Sequence, residues 1–120
     1  MIKSASLAFL SLFIINFGYG QDRAKYDELI KEAWSLYESY DFLASGHKYT
    51  EAFMAFGGKG LVNDRYNAAC SWALANEPDS AFVQLFKIAE NGHYTNLGHI
   101  TIDTDLILLR NDERWNSVMD

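Results

Sequence analysis

The chain has a single cysteine, Cys70, so no intrachain disulfide can brace it and packing alone must hold the fold. Basic side chains are also scarce: 10 Lys and Arg against 16 Asp and Glu give a net charge of −6. An acidic surface of this kind repels nucleic acid and anionic lipid, so neither is an expected partner. A bilayer-spanning helix needs about 20 consecutive apolar residues, and no run here reaches that length. The longest, Ala5 to Phe17, is broken by Ser6, Ser11 and Asn16 and stops at Gly18-Tyr19-Gly20 before the polar Gln21-Asp22-Arg23.

That apolar run, preceded by Lys3, has the profile of a signal peptide over residues 1–20; an uncleaved anchor or a buried core helix are the alternatives. Gly18 and Gly20 supply the two small side chains that a signal peptidase accepts, which makes Gln21 the expected first residue of a periplasmic or secreted product. No cysteine follows the run to carry a lipid anchor, so the mature form is expected to be free of the membrane. Losing Lys3 leaves nine basic side chains against 16 acidic ones, a net charge of −7. About 100 residues then form one domain, over 21–120, with aromatics at 15% to fill a small core.

What is present is helical periodicity. Tyr26, Leu29, Ile30, Ala33, Trp34, Tyr37 and Tyr40 recur at the spacing of one helix face. Asp41 can cap a second helix whose face is Phe42, Ser45, Tyr49, Ala52, Phe53 and Phe56, ended by Gly57-Gly58-Lys59-Gly60. A third helix, capped by Asn63 or Asp64, buries Tyr66, Ala69, Cys70, Ala73 and Leu74 and closes at Asn76. Pro78 suits the first turn of a fourth, striped by Ala81, Phe82, Leu85, Phe86 and Ala89 and stopped at Asn91-Gly92. Beyond it the pattern predicts a turn around Asn96 to His99 and short helices from Asp103 to Leu109 and from Asp112 to Met119. No sustained strand alternation occurs.

The helices repeat. Asp41-Phe42-Leu43-Ala44-Ser45, Tyr49 and Ala52 align with Glu77-Pro78-Asp79-Ser80-Ala81, Leu85 and Ile88, so that Ser45 and Ala81 stand 36 positions apart. Ala33 with Leu36 precedes the first unit, and Ala69 with Trp72 the second, small residues that let helix backbones approach where they cross. These residues resemble the tetratricopeptide repeat, matched at Ala33, Leu36, Phe42, Ser45, Tyr49 and Ala52 and again at Ala69, Trp72, Ala81 and Leu85. Tyr66-Asn67-Ala68-Ala69-Cys70 with Ala73-Leu74-Ala75 looks like a last repeat of bacterial members. The ending Asp103-Thr104-Asp105-Leu106, Leu109-Arg110-Asn111-Asp112 and Arg114-Trp115 is similar to their closing cap. Departures are Leu29 and Glu32 where the family often has a large aromatic and a Leu, and Ala33 and Ala69 where it often has Gly.

The resemblance implies an all-α fold: two helix-turn-helix pairs, at about residues 26–58 and 62–92, in a right-handed superhelical stack, closed by capping helices at 95–120. It also implies a concave groove lined by the first helix of each pair, here Ile30, Trp34, Tyr37 and Glu38, then Asn63, Tyr66, Asn67, Cys70 and Leu74. An Asn there can hold a peptide backbone by donor and acceptor, and aromatics give contact area at low entropic cost. Trp34, Tyr37 and Tyr66 read more simply as core. Basic residues that would grip a carboxylate are nearly missing from the groove, Arg65 being the nearest.

Chemistry is harder to find. No two of His47, His93 and His99 have helical ligand spacing; His99 and Asp103 do, but β-branched Ile100-Thr101-Ile102 between them make a poor helix. Asp103 and Asp105 read more simply as caps. Gly57-Gly58-Lys59-Gly60 lacks the Ser or Thr of a phosphate loop and follows a helix instead of a strand. Cys70, among alanines, reads as an inert buried thiol, with an intermolecular disulfide as the alternative. Neither a catalytic set, a metal site nor a cofactor is expected. The expected role is an interaction module that takes a protein or peptide partner; an accessory subunit or inhibitor of a periplasmic hydrolase is the alternative, with a helical enzyme behind both. Sequencing the N-terminus of the exported product should return Gln21 first; a retained Met1 would contradict the export reading.

Overall fold

The computed structural model describes residues 21–91 and 97–120, so the expected signal peptide at 1–20 and the expected stop at Gly92 lie outside the described residues. The fold is all-helical: α1 (Arg23–Glu38), α2 (Phe42–Ala55), α3 (Val62–Leu74), α4 (Pro78–Asn91), α5 (Leu97–Ile102), a 3-10 helix (Thr104–Leu109) and α6 (Arg114–Met119). No strand occurs among the described residues. Helices α1 and α2 pack as one pair and α3 and α4 as a second, α2 packs on α3, and the 3-10 helix lies on α3.

The pairs are joined by the same turn. After α1, the Tyr40 amide donates to Tyr37 O at 3.0 Å and the Asp41 amide to Leu36 O at 2.9 Å. After α3, the Asn76 amide donates to Ala73 O at 3.0 Å and the Glu77 amide to Trp72 O at 2.9 Å. Both use a left-handed residue, Tyr40 at φ 65° and Asn76 at φ 60°, to satisfy carbonyls that a helix end leaves open. Tyr40 and Asn76 are 36 positions apart, the offset of the sequence repeat. Tyr40, expected on the buried face of α1, is instead 81% exposed, because the left-handed turn takes the chain off the helix there.

Side-chain caps at the other ends follow the sequence in part. Asp22 accepts from the Lys25 amide at 2.9 Å and Asp41 from the Ala44 amide at 3.4 Å. At α3 the expectation fails: the helix follows Leu61 with no side-chain cap, and Asp64 sits inside its first turn. Asp64 serves instead as the acceptor for the buried Tyr26 hydroxyl at 2.5 Å, and that hydroxyl in turn accepts from the Leu61 amide at 3.0 Å. One phenol thus ties α1 to the start of α3.

Small residues govern the helix crossings. The Ser45 hydroxyl donates to Ala33 O at 2.8 Å and stands 2.9 Å from the Ser71 hydroxyl, all of it buried, so one polar contact joins α1, α2 and α3. Gly46 lies against the buried Trp72 indole, where an added Cβ would fall 2.6 Å from the ring. In α4 the buried set is Ala81, Phe82, Gln84, Leu85 and Ile88; Ala89, expected on that face, is exposed.

The C-terminal region departs most from expectation. Ile100-Thr101-Ile102 are helical, in α5, because Ile100 is buried in the core and burial outweighs β-branched propensity. Residues 104–109 form a 3-10 helix, in which side chains three apart share a face, so Leu106 and Leu109 are buried together. Helix α6 begins at Arg114, whose amide donates to Asp112 at 2.9 Å, and Arg114 lies over the Phe82 ring at 4.5 Å while pairing with Asp79 at 2.9 Å. Replacing Gly46 with Ala should cost about 1–3 kcal/mol in urea unfolding by overpacking against Trp72; an unchanged midpoint would show that the helices do not meet so closely.

Candidate functional site

The first helices of the two pairs, α1 and α3, carry the residues expected to line the groove, but the structure divides them. Trp34 is 43% exposed and stacks on Tyr37 with ring centroids 5.0 Å apart. Tyr37 and Glu38 from α1, Tyr40 from the turn that follows it, Phe42 from the start of α2, Leu74 from α3 and Asp105 from the 3-10 helix line a cavity of 480 Å³. Ile30 is half-buried against the core and Asn63 is exposed, and neither reaches that cavity. Asn67 is half-buried with its amide against the Tyr49 hydroxyl.

Tyr66 and Cys70, expected to face a partner, are buried beneath the chain's own cap. The Tyr66 hydroxyl donates to Asp103 Oδ2 at 2.5 Å, and the Cys70 thiol points at the same oxygen from 3.9 Å. The Tyr37 hydroxyl donates to the Asp105 carboxylate. His99 completes the surroundings, its Nε2 3.6 Å from Asp103 Oδ2 and its ring 5.3 Å from that of Tyr66. One further support comes from Arg110, whose Nη2 donates to the Asp103 carbonyl at 3.0 Å. An acidic segment of the same molecule, Asp103 to Asp105, therefore takes up Tyr66, Cys70 and Tyr37.

This arrangement decides the protonation states. Burial, then the Asp105 carboxylate, pushes the Tyr37 hydroxyl well above the ordinary tyrosine value. Burial, then Asp103 and Asp105, pushes the Cys70 thiol up as well, so it stays a thiol at neutral pH and lacks the thiolate needed for nucleophilic work. Cys70 Sγ and one oxygen from each of Asp103 and Asp105 lie within 4.8 Å of one another, and these atoms are the ones a metal could use. Each already has a place in the hydrogen-bonded clasp: Asp103 Oδ1 accepts from the Asp105 amide at 2.9 Å, its Oδ2 from Tyr66, and Asp105 from Tyr37. His47 lies far along α2 against Trp72, with rings 5.0 Å apart, and His93 lies outside the described residues.

The sequence marked both aspartates as caps; for Asp103 that is half of its role, and for Asp105 the Tyr37 contact replaces it. Phe42 and Tyr40 were expected in the core and line the cavity instead. No periodic pattern could have flagged contacts between residues 37 and 105 or 66 and 103, since they depend on how the cap folds back. No family model, curated protein or solved structure matches the chain.

Tyr26 and Tyr49 share the behaviour of Tyr37: burial first raises all three above the free value of 10.0. In the fold they stay protonated where the unfolded chain ionises. Their contribution is fully present below pH 10 and is lost as pH rises beyond it. The urea midpoint should therefore fall between about pH 9 and about pH 11, less steeply in Tyr37→Phe than in the wild type. Equal slopes for the two would contradict the clasp.

Proposed function

We propose that the chain is an exported tetratricopeptide-like interaction module, its two helix pairs forming a minimal right-handed superhelical stack that holds a peptide or protein. The observation that carries the proposal is the exposed Trp34, stacked on Tyr37, which itself lines a 480 Å³ cavity. Large, stiff aromatics at a concave rim are the side chains that give binding energy at low entropic cost. The binding surface is smaller than the sequence implied. With Tyr66 and Cys70 committed to the cap, it consists of Trp34, Tyr37, Glu38, Tyr40 and Leu74, which suits a short segment better than one threaded along the whole stack. Export rests on the residues 1–20 pattern. No described helix is long and apolar enough to cross a membrane.

A second reading, accessory subunit of an exported hydrolase, draws on Ile102, Ile107 and Leu108, which are 73%, 53% and 59% exposed in the cap region. Exposed apolar side chains close in sequence favour a docking surface there. The two readings separate in one experiment. Partner capture by the full chain should be lost in Trp34→Ala/Tyr40→Ala and kept in Ile107→Lys/Leu108→Lys; the reverse pattern would favour the accessory reading and overturn the groove.

A further inference from the structure

Away from the groove, the turn Gly57-Gly58-Lys59-Gly60 folds over the side chain of Arg65. Arg65 is only 6% exposed. Its Nη2 donates to Gly58 O at 3.0 Å, its Nη1 to Gln84 Oε1 at 2.9 Å, and its guanidinium lies 4.6 Å from the centre of the Phe53 ring. Gly60 makes this fit possible, since a Cβ there would stand 2.7 Å from the Phe53 ring and 3.2 Å from Arg65 Cζ. The buried Nε has no hydrogen-bond partner among the described residues.

A buried guanidinium is normally matched by a carboxylate, because removing a charge from water without compensation is costly. Every Asp and Glu of the chain lies among the described residues, and none forms an ion pair with Arg65. Its two partners are neutral oxygens. Burial accordingly pushes its pKa below the ordinary arginine value.

The same side chain lines a second cavity, of 480 Å³, together with Gly58, Lys59, Lys87, Glu90 and Asn91. Lys59 and Lys87 form no ion pair among the described residues either. Three of the chain's ten basic residues thus meet one carboxylate at a single cavity, an excess of two positive charges in a protein whose net charge is −6. We propose that this cavity is a binding site for a phosphate group, free or as a monoester, with Arg65 as its buried floor and Lys59 and Lys87 as its exposed walls. The charge balance selects the ligand class: a phosphate carrying about −1.5 to −2 matches the excess of two, where a carboxylate would leave half of it. Arg65, its fork held by Gly58 O and Gln84 Oε1, supplies fixed positive charge beneath the cavity, and the two lysines supply point charges that can reach the ligand.

The mechanism differs from that of a phosphate loop. There the backbone amides cradle the ligand, but here the amides of Gly57, Gly58 and Lys59 are turned to Met54 O at 3.1 Å, Phe53 O at 2.7 Å and Phe56 O at 3.3 Å, closing α2. Recognition falls to the side chains. Glycine is needed in the turn for its left-handed geometry, with Gly57 at φ 69° and Gly58 at φ 82°.

The test is titration of the full chain by calorimetry with inorganic phosphate and, separately, with O-phosphoserine, at constant ionic strength set with chloride. The expected result is saturable one-to-one binding with a Kd near ~1 mM for at least one of them. It should weaken at least about tenfold in Lys59→Ala/Lys87→Ala and stay unchanged in Lys48→Ala, a control on α2 that pairs with Glu51 and does not line the cavity. Binding of phosphoserine alone would identify a monoester, and binding of both a free or esterified phosphate. Because Arg65→Met can disturb the core, the lysine variants carry the test. Heat changes that never saturate, that track ionic strength, or that survive in the double lysine variant would overturn the proposal.

Discussion

The Asp103 side chain is where the two halves of the molecule become one. Its Oδ1 holds the Asp105 amide and starts the 3-10 helix; its Oδ2 receives the Tyr66 hydroxyl from α3. Beside it Asp105 receives Tyr37 from α1, so a single short segment binds the first helix of both pairs. A hydrogen bond to a charged acceptor contributes about 1.5–3 kcal/mol, and here two of them act where the cap meets the stack. Two helix pairs alone fall short of the three or so repeats that a free-standing array usually needs. The cap supplies the missing face, burying Leu106, Leu109, Trp115 and Val118 against the pairs.

That same contact shapes the surface available to a partner. Tyr66 and Cys70 are used internally, while Trp34 stays exposed on α1, stacked on Tyr37. Cys70 shows how packing and chemistry are linked: the burial that makes it useful to the core also holds its proton on and removes its reactivity. Within the stack the constraint is close approach. Ala33, Ser45, Gly46 and Ser71 have side chains small enough for α1, α2 and α3 to meet, and the Ser45 and Ser71 hydroxyls satisfy each other and Ala33 O where no water can reach.

Helices α1, α2 and α4 were legible because each buries one face, and burial at a 3.6-residue period leaves its mark on the sequence, as at Tyr26, Leu29 and Ala33, whereas α3 is buried nearly all round, from Arg65 to Ala73. The repeat was legible because the same left-handed turn is needed twice, at Tyr40 and at Asn76. What could not be read is what depends on contact across the fold. Asn63 and Asp64 looked like caps by residue type, but Asp64 is taken by Tyr26, 38 positions away. Ile100 looked like a poor helix residue, and it is one; burial decides otherwise. Arg65 looked like a residue near the groove, and α3 sets it under the Gly57-Gly58-Lys59-Gly60 turn instead.

The cap is an integral part of the domain, locked to the first helices of both pairs. Native-state hydrogen exchange on the full chain tests this most directly, comparing the amides of Asp105 and Leu106 with those of Ala69 and Cys70 in α3. If the clasp of Asp103 and Asp105 closes the stack, both sets exchange through the same global opening and share one free energy and one denaturant dependence. Exchange at Asp105 and Leu106 through a separate, low-energy opening, while α3 remains protected, would contradict it.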